Sequence, residues 1–209
     1  MSKTTEMWND RYSKIDYAYG IKPNQFFLES VNEYELTGNI LLPAEGEGRN
    51  AVFAAQKGLD VTAFDISTEG KKKALQLAEK AKVKIRYEVG DLFDLDIINE
   101  KYGIAALIFA HFPPNVLSKY HEKIADLIAD EGIIILEGFS KSHLKLREEN
   151  PKIGGPNKIE MLFSIDSIKE DFSNFEVIKL EEVEVQLNEG SFHNGLGKVI
   201  RFIGKKIKK

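Results

Sequence analysis

From Asn39 onward, short apolar runs alternate with stretches whose apolar residues recur at helical spacing. That alternation is the mark of βαβ units around a parallel sheet. Residues 39–42 (Asn-Ile-Leu-Leu) form the first expected strand, and a glycine-containing loop leads into a short helix over 50–57, stopped by Gly58. Residues 60–64 read as a second strand. Ser67 is placed to cap a helix running to about Lys82, with Ala74, Leu75, Ala78 and Ala81 on its inner face. Residues 84–89 alternate Ile85, Tyr87 and Val89 with polar neighbours, as a strand does. Residues 104–110 are apolar on both faces, which suits a central parallel strand. A helix follows with Val116, Leu117, Tyr120, Ile124, Leu127 and Ile128 on one side, and then a fifth strand over 132–137.

The rhythm breaks after that point. Residues 140–156 combine many charges with Gly154-Gly155-Pro156 and are expected as a long surface loop. A short helix around 167–172 precedes two strands, about 175–185 and 198–203. The hairpin-like link between them, Asn188 to Gly195, makes the pair antiparallel. The first 37 residues lie outside the pattern and carry Trp8, Tyr12, Tyr17, Tyr19, Phe26 and Phe27. The expectation is a single domain over 1–209, with 1–37 as an N-terminal lid segment and 38–209 as the core.

Composition narrows the function classes. At 209 residues, 43% hydrophobic and 30% charged, the chain is long enough and apolar enough to bury a core. No apolar run approaches the roughly 20 residues of a bilayer span. The start, Met1 to Trp8, lacks the apolar centre of a secretion signal, so the expected location is cytoplasmic. The absence of cysteine excludes disulfides, thiolate nucleophiles and cysteine metal sites. A net charge of −4 gives no basic footprint for nucleic acid. The one basic cluster, residues 205–209, reads as a solvated end. Four scattered histidines without paired spacing make no metal site, and His121 and His143 read as surface residues.

Ligands of open α/β sheets bind at the carboxyl ends of the strands. Three features fall there. In the loop Pro43 to Asn50, Gly46 and Gly48 allow close backbone approach, and Gly46-x-Gly48-x-x-Ala51 matches a relaxed dinucleotide fingerprint. Yet Glu45 and Glu47 would repel a pyrophosphate. They would attract a ligand carrying a sulfonium and an ammonium, which favours S-adenosylmethionine over NAD. Asp65, closing the second strand, suits the two hydroxyls of a ribose. Asp91, closing the third in Gly90-Asp91-Leu92, suits an adenine amine, with Ile66 or Leu92 on the ring.

Glu45-Gly-Glu-Gly-Arg-Asn, Val61-Thr-Ala-Phe-Asp-Ile-Ser and Gly90-Asp91-Leu92 together resemble the successive motifs of class I S-adenosylmethionine-dependent methyltransferases. Trp8-Asn-Asp-Arg-Tyr12, Tyr17-Ala-Tyr19-Gly20, Pro23-Asn24 and Glu189-Gly-Ser-Phe-His193 are similar to the branch holding the tellurite-resistance and thiopurine methyltransferases and their small bacterial and archaeal relatives. The resemblance implies a Rossmann-like, doubly wound seven-stranded sheet, order 3-2-1-4-5-7-6 with strand 7 antiparallel and helices on both faces. It implies S-adenosylmethionine as cofactor, with S-adenosylhomocysteine as product. The cofactor residues would be Glu45, Gly46, Gly48, Asn50, Asp65, Ile66, Asp91, Leu92, Tyr19 and Asn24. The family's usual acidic residue and further glycine are replaced here by Leu42 and Ala44, which leaves Glu45 as the candidate for the cofactor's amino group.

Methyl transfer needs a base only when the nucleophile arrives protonated. His111, just after the fourth strand, is the first candidate, with a structural histidine under the turn as its alternative. His193, in the last hairpin, is the second. Tyr19 and Asn24 flank a turn shaped by Gly20 and Pro23 and would close as a lid. Met161-Leu162-Phe163 would floor the acceptor site. The expected activity is methyl transfer to a small molecule, by a monomer or weak homodimer that binds neither nucleic acid nor membrane. The alternatives are a non-catalytic binder of S-adenosylmethionine or S-adenosylhomocysteine, and an NAD-dependent oxidoreductase.

Overall fold

The structure is a computed structural model that describes residues 2–208. Met1 and Lys209, which open and close two of the stretches read above, lie outside the described residues. Seven strands form one sheet in the order β3-β2-β1-β4-β5-β7-β6. They are β1 (Asn39–Pro43), β2 (Asp60–Asp65), β3 (Arg86–Val89), β4 (Tyr102–Ile108), β5 (Ile128–Phe139), β6 (Phe175–Glu189) and β7 (His193–Lys206). The five strands from β3 to β5 pair in parallel, while β7 runs antiparallel to both β5 and β6.

The expected two-sided burial of the central strands is present residue by residue. Leu41 and Leu107 join a core with Ile124 of α5 (Leu117–Leu127), with Ile168 of α7 (Ile165–Asp171), and with Phe202. Ile40, Leu42 and Ala106 join a second core with Phe26 and Phe27 of α2 (Gln25–Glu33) and Phe53 of α3 (Arg49–Gln56). Helices therefore cover both faces. Ser67 caps α4 (Thr68–Ala81) as its position predicts, its hydroxyl accepting from the Gly70 amide at 3.0 Å. Within 1–37, α1 (Lys3–Tyr12) and α2 account for most of the chain, and α1 rests on α4.

Four expectations need correction. The inner face of α4 carries Leu77, not Leu75, which is exposed. The stretch 140–156 is not one loop, since it contains α6 (His143–Glu149) and a short 3-10 turn. His121 and His143 are fully buried. His121 ties α5 to α7 through Asp171 at 2.6 Å. His143 stacks on Phe139 at 4.0 Å, accepts from the Lys198 amide and donates to the Gly154 carbonyl. Finally, the basic cluster is more than a solvated end, because Lys206 is buried and donates to the Ala125 and Ile128 carbonyls at 2.6 and 2.7 Å. Among the described residues, no helix is long and apolar enough to cross a membrane.

Candidate active site

A cleft of about 940 Å³ opens over the carboxyl ends of β1 to β5. It brings together Glu45, Gly46, Asn50, Asp65, Ile66, Asp91, Leu92, Tyr19, His111 and His193 from the sequence-predicted set. Gly48 and Asn24 are not on its wall.

The floor is the loop after β1. Ala44 has φ 52, Gly46 φ 63 and Gly48 φ 86, so three of its residues adopt a left-handed backbone. Ala44 stands where the family's further glycine would be, and a side chain there costs about 1–2 kcal/mol of backbone strain. Phe109, just beyond β4 on the neighbouring strand, shares that conformation at φ 53 and also lines the cleft. Gly48 is held for packing, since a Cβ there would lie 2.5 Å from the Ala74 Cβ of α4.

The two loop carboxylates are spent inside the protein. Glu45 Oε1 accepts the Asn50 and Ala51 amides at 2.8 Å each, doing for α3 what its N-cap Gly48 cannot. Burial pushes its carboxyl up to about 7, against those amide hydrogen bonds. Glu47 accepts from Lys73 and from the Ala18 amide, both at 2.7 Å. The Lys73 charge cancels that of Glu47, so Glu47, contrary to its appearance in the sequence, offers no net charge to a cationic ligand.

Asp65 is oriented on both oxygens, one accepting the Gly46 amide at 3.1 Å and the other the Ser67 amide at 2.9 Å. Burial raises its carboxyl to about 6. The Tyr87 hydroxyl, on β3, donates to the Gly46 carbonyl at 2.6 Å and fixes the loop from below. Asp91 accepts from the Phe93 amide at 3.1 Å and from the Tyr120 hydroxyl.

The histidines part company here. The Phe139 amide donates to His111 Nε2 at 3.1 Å, which leaves the proton on Nδ1, donating to the Met161 carbonyl at 2.9 Å. The ring lies between Phe163 and Phe139, and burial lowers it to about 4. As placed, His111 has no free nitrogen with which to take a proton, and the structural reading fits it. His193 differs. Its Nδ1 meets Glu189 at 2.9 Å, and Nε2 makes no hydrogen bond among the described residues. Its ring packs against Tyr19 and Phe109, both at 4.5 Å.

Glu189, Arg49, Arg11 and Arg147 were not singled out from the sequence. Glu189 and His193 pair across the last hairpin, so the Glu-x-x-x-His spacing around that turn was a signal available to find the first. Glu189 also accepts from Arg49 at 2.9 Å and from the Asn24 side chain at 3.2 Å. Burial raises the Glu189 carboxyl, but the His193 hydrogen bond and the Arg49 charge outweigh it and hold it at about 2. Asn24 caps α2 and reaches Glu137 at 2.7 Å, lining a second cavity of about 870 Å³ behind the Tyr19–Arg49–Glu189 wall.

The donor set fits S-adenosylmethionine. Two oriented carboxylates end β2 and β3, apolar Ile66 and Leu92 lie beside them, and glycine backbone is exposed between. Residues 40–132 match the family model of a methyltransferase domain. No curated protein matches the chain by sequence. Among solved structures, the fold is shared with one described as the conversion of a disulfide bond into a thioacetal group during echinomycin biosynthesis. That likeness has TM-score 0.77 and 16% identity, over 98% of this chain and 92% of that one. It is shared with magnesium protoporphyrin IX methyltransferase from Synechocystis PCC 6803 with bound S-adenosylhomocysteine (TM-score 0.69, 16% identity, 97% of each chain). TehB from Haemophilus influenzae is also similar, at TM-score 0.66 and 15% identity, over 98% of this chain and 67% of that one. Residues 40–132 thus match the model of a methyltransferase domain, and nearly the whole chain shares the fold of these solved structures.

Proposed function

We propose that the protein moves the methyl group of S-adenosylmethionine to a small-molecule nucleophile, with His193 as general base. The observation that carries this is the His193–Glu189 pair: Nδ1 is held by a carboxylate, and the ring lines the cleft with Nε2 unbonded. Burial lowers His193, and Glu189 opposes that in part, so the ring is neutral and able to accept a proton at neutral pH. Glu189 is a positioning residue; it fixes tautomer and ring angle.

When bound, the cofactor supplies a methyl group on a sulfonium, and the protein's task is alignment and exclusion of water. Asp65 accepts the ribose hydroxyls, Asp91 the adenine amine, and Ile66 and Leu92 cover the ring. Gly46 lets the backbone approach, with Asn50 and Tyr19 beside it. Glu45 serves the loop first, through α3. Gly48 and Asn24 support from behind the wall. The segment before α2 acts as the lid, clamped by Glu47 on the Ala18 amide and by the Ser191 amide on the Ala18 carbonyl at 3.0 Å, while α2 itself belongs to the core.

The acceptor class follows the resemblance to the tellurite-resistance and thiopurine branch: a thiol, selenium or tellurium species, or an amine or hydroxyl. The protein works in the cytoplasm as a monomer or weak homodimer, without nucleic acid. Turnover of methyl-labelled S-adenosylmethionine over a panel of such acceptors tests the reading. At least one acceptor should be methylated, and His193→Asn should lower kcat roughly 10²–10⁴-fold on a hydroxyl or amine acceptor. Unchanged kcat in that variant removes His193 as base. Tight cofactor binding with no turnover anywhere makes the protein a binding module instead.

A further inference from the structure

The chain has five arginines. Three are neutralised by carboxylates: Arg49 by Glu189, Arg86 by Glu88 and Glu100, and Arg201 by Glu137. The other two, Arg11 and Arg147, form no ion pair among the described residues, and both line the cleft. Each spends a donor on a neutral oxygen. Arg11 donates to the Tyr19 hydroxyl at 2.7 Å, and Arg147 Nε to the Gly155 carbonyl at 2.8 Å. Neither bond cancels the charge, and most of each guanidinium fork is left over.

The two arginines stand over different parts of the sheet. Arg11 belongs to α1, whose Tyr12 hydroxyl abuts Gly46 and whose Asn9 meets Ser67 at 2.7 Å. Its guanidinium lies over Trp8 at 4.7 Å and Phe192 at 4.6 Å. It therefore stands beside the loop and strand ends assigned above to the cofactor. Arg147 belongs to α6, which follows β5; Gly155, whose carbonyl it bonds, lines the same cleft, as do Pro156, Asn157 and Met161. Glu148 and Glu149 follow it on α6, but both are exposed and neither lines the cleft.

S-adenosylmethionine brings one carboxylate, for which one arginine is enough. The second half-buried, unneutralised guanidinium has no counterpart in the cofactor. We infer that the methyl acceptor carries an anionic group, a carboxylate or a phosphate, that docks on Arg147 while the nucleophile faces His193. A planar fork matches either anion with two parallel hydrogen bonds, and partial exclusion of water strengthens them. The inference rests on the methyltransferase reading above, and it makes α6 the element that selects substrates.

The test is calorimetric titration of the full chain loaded with S-adenosylhomocysteine, using benzoate, phenyl phosphate and uncharged benzamide as probes. Wild type should bind at least one anion about tenfold or more tighter than benzamide, a difference of about 1.4 kcal/mol. Arg147→Gln should erase that preference while leaving S-adenosylhomocysteine affinity within about threefold, and Arg147→Lys should restore part of it. Which probe gains identifies carboxylate or phosphate. The inference is overturned if the three probes bind alike, if the preference survives Arg147→Gln, or if Arg11→Gln alone abolishes it. Failure of the methyltransferase reading has a different signature: S-adenosylhomocysteine itself would not bind wild type.

Discussion

Lys73 and Glu47 meet at 2.7 Å with side chains only 10% and 3% exposed. Lys73→Met removes the cation and leaves a buried carboxylate whose remaining partners are backbone amides, that of Ala18 among them. It also frees the Asp16 carbonyl, which Lys73 bonds at 2.7 Å. Breaking one side of such a pair costs about 3–5 kcal/mol. For a domain of this size that is a fall in Tm of roughly 6–20 °C, at about 2–4 °C per kcal/mol. The cost has a pH signature. Burial already raises Glu47, and Lys73 is the strongest influence pulling it down. In the variant the carboxyl therefore rises further above its unfolded value. A carboxyl raised by folding loses stability as pH rises through the gap, so the penalty should be largest near pH 8 and shrink near pH 5. Glu47→Gln/Lys73→Met should recover about 1.5–3 kcal/mol relative to Lys73→Met, because no charge is then stranded. Urea melts of the four proteins at both pH values supply the cycle. Strictly additive costs, or a Lys73→Met penalty that does not change with pH, would refute the reasoning.

Three further outcomes are expected. Gly190→Ala places a Cβ 2.3 Å from the Ala18 carbonyl at a residue with φ 60, and should cost about 2–4 kcal/mol in denaturant melts. His111 is held neutral by burial, at about 4 against an ordinary 6.5, so its contribution is complete above pH 6.5 and fades as pH falls toward 4. His111→Phe should flatten that acid limb by roughly 3 kcal/mol, read as urea midpoints across pH 4.5–7.5. Glu189→Gln should lower kcat roughly ten- to hundredfold with little change in cofactor affinity. It should also move the acidic limb of kcat to lower pH, because Glu189 is what raises His193.

Much of the sheet was legible because its signals are local. Buried parallel strands are continuous apolar runs, and Ser67 announces α4 by its own side chain. The β6–β7 pair was legible in type but too short in extent, since the missed ends facing the turn, 186–189 and 193–197, are dominated by polar residues and glycine. What was not legible depends on partners far along the chain. The seven residues of α6 are too few to show a period, and His143 inside it is buried only because Phe139 and β7 cover it. His121 reads as a polar position on α5 until Asp171 of α7 arrives. The loop carboxylates misled for the same reason: Glu47 looks free in the sequence, and its cation sits 26 residues away. Asp65 and Asp91 were legible because strand ends fix where their side chains must stand.

The wall between the two cavities joins parts of the chain that lie far apart in sequence. Arg49 meets Glu189 across 140 residues, Asn24 meets it across 165, and the Ser191 amide closes on the Ala18 carbonyl. A polypeptide leaving the ribosome amino-terminus first presents β1 to β4, with Asp65 and Asp91, before the hairpin that carries Glu189 and His193. Contacts of such long range form late, so until the hairpin docks the glycine loop lacks the wall that Glu189 and His193 complete. A ligand that needs both this wall and the loop after β1 can therefore stabilise the fold only once the hairpin has docked.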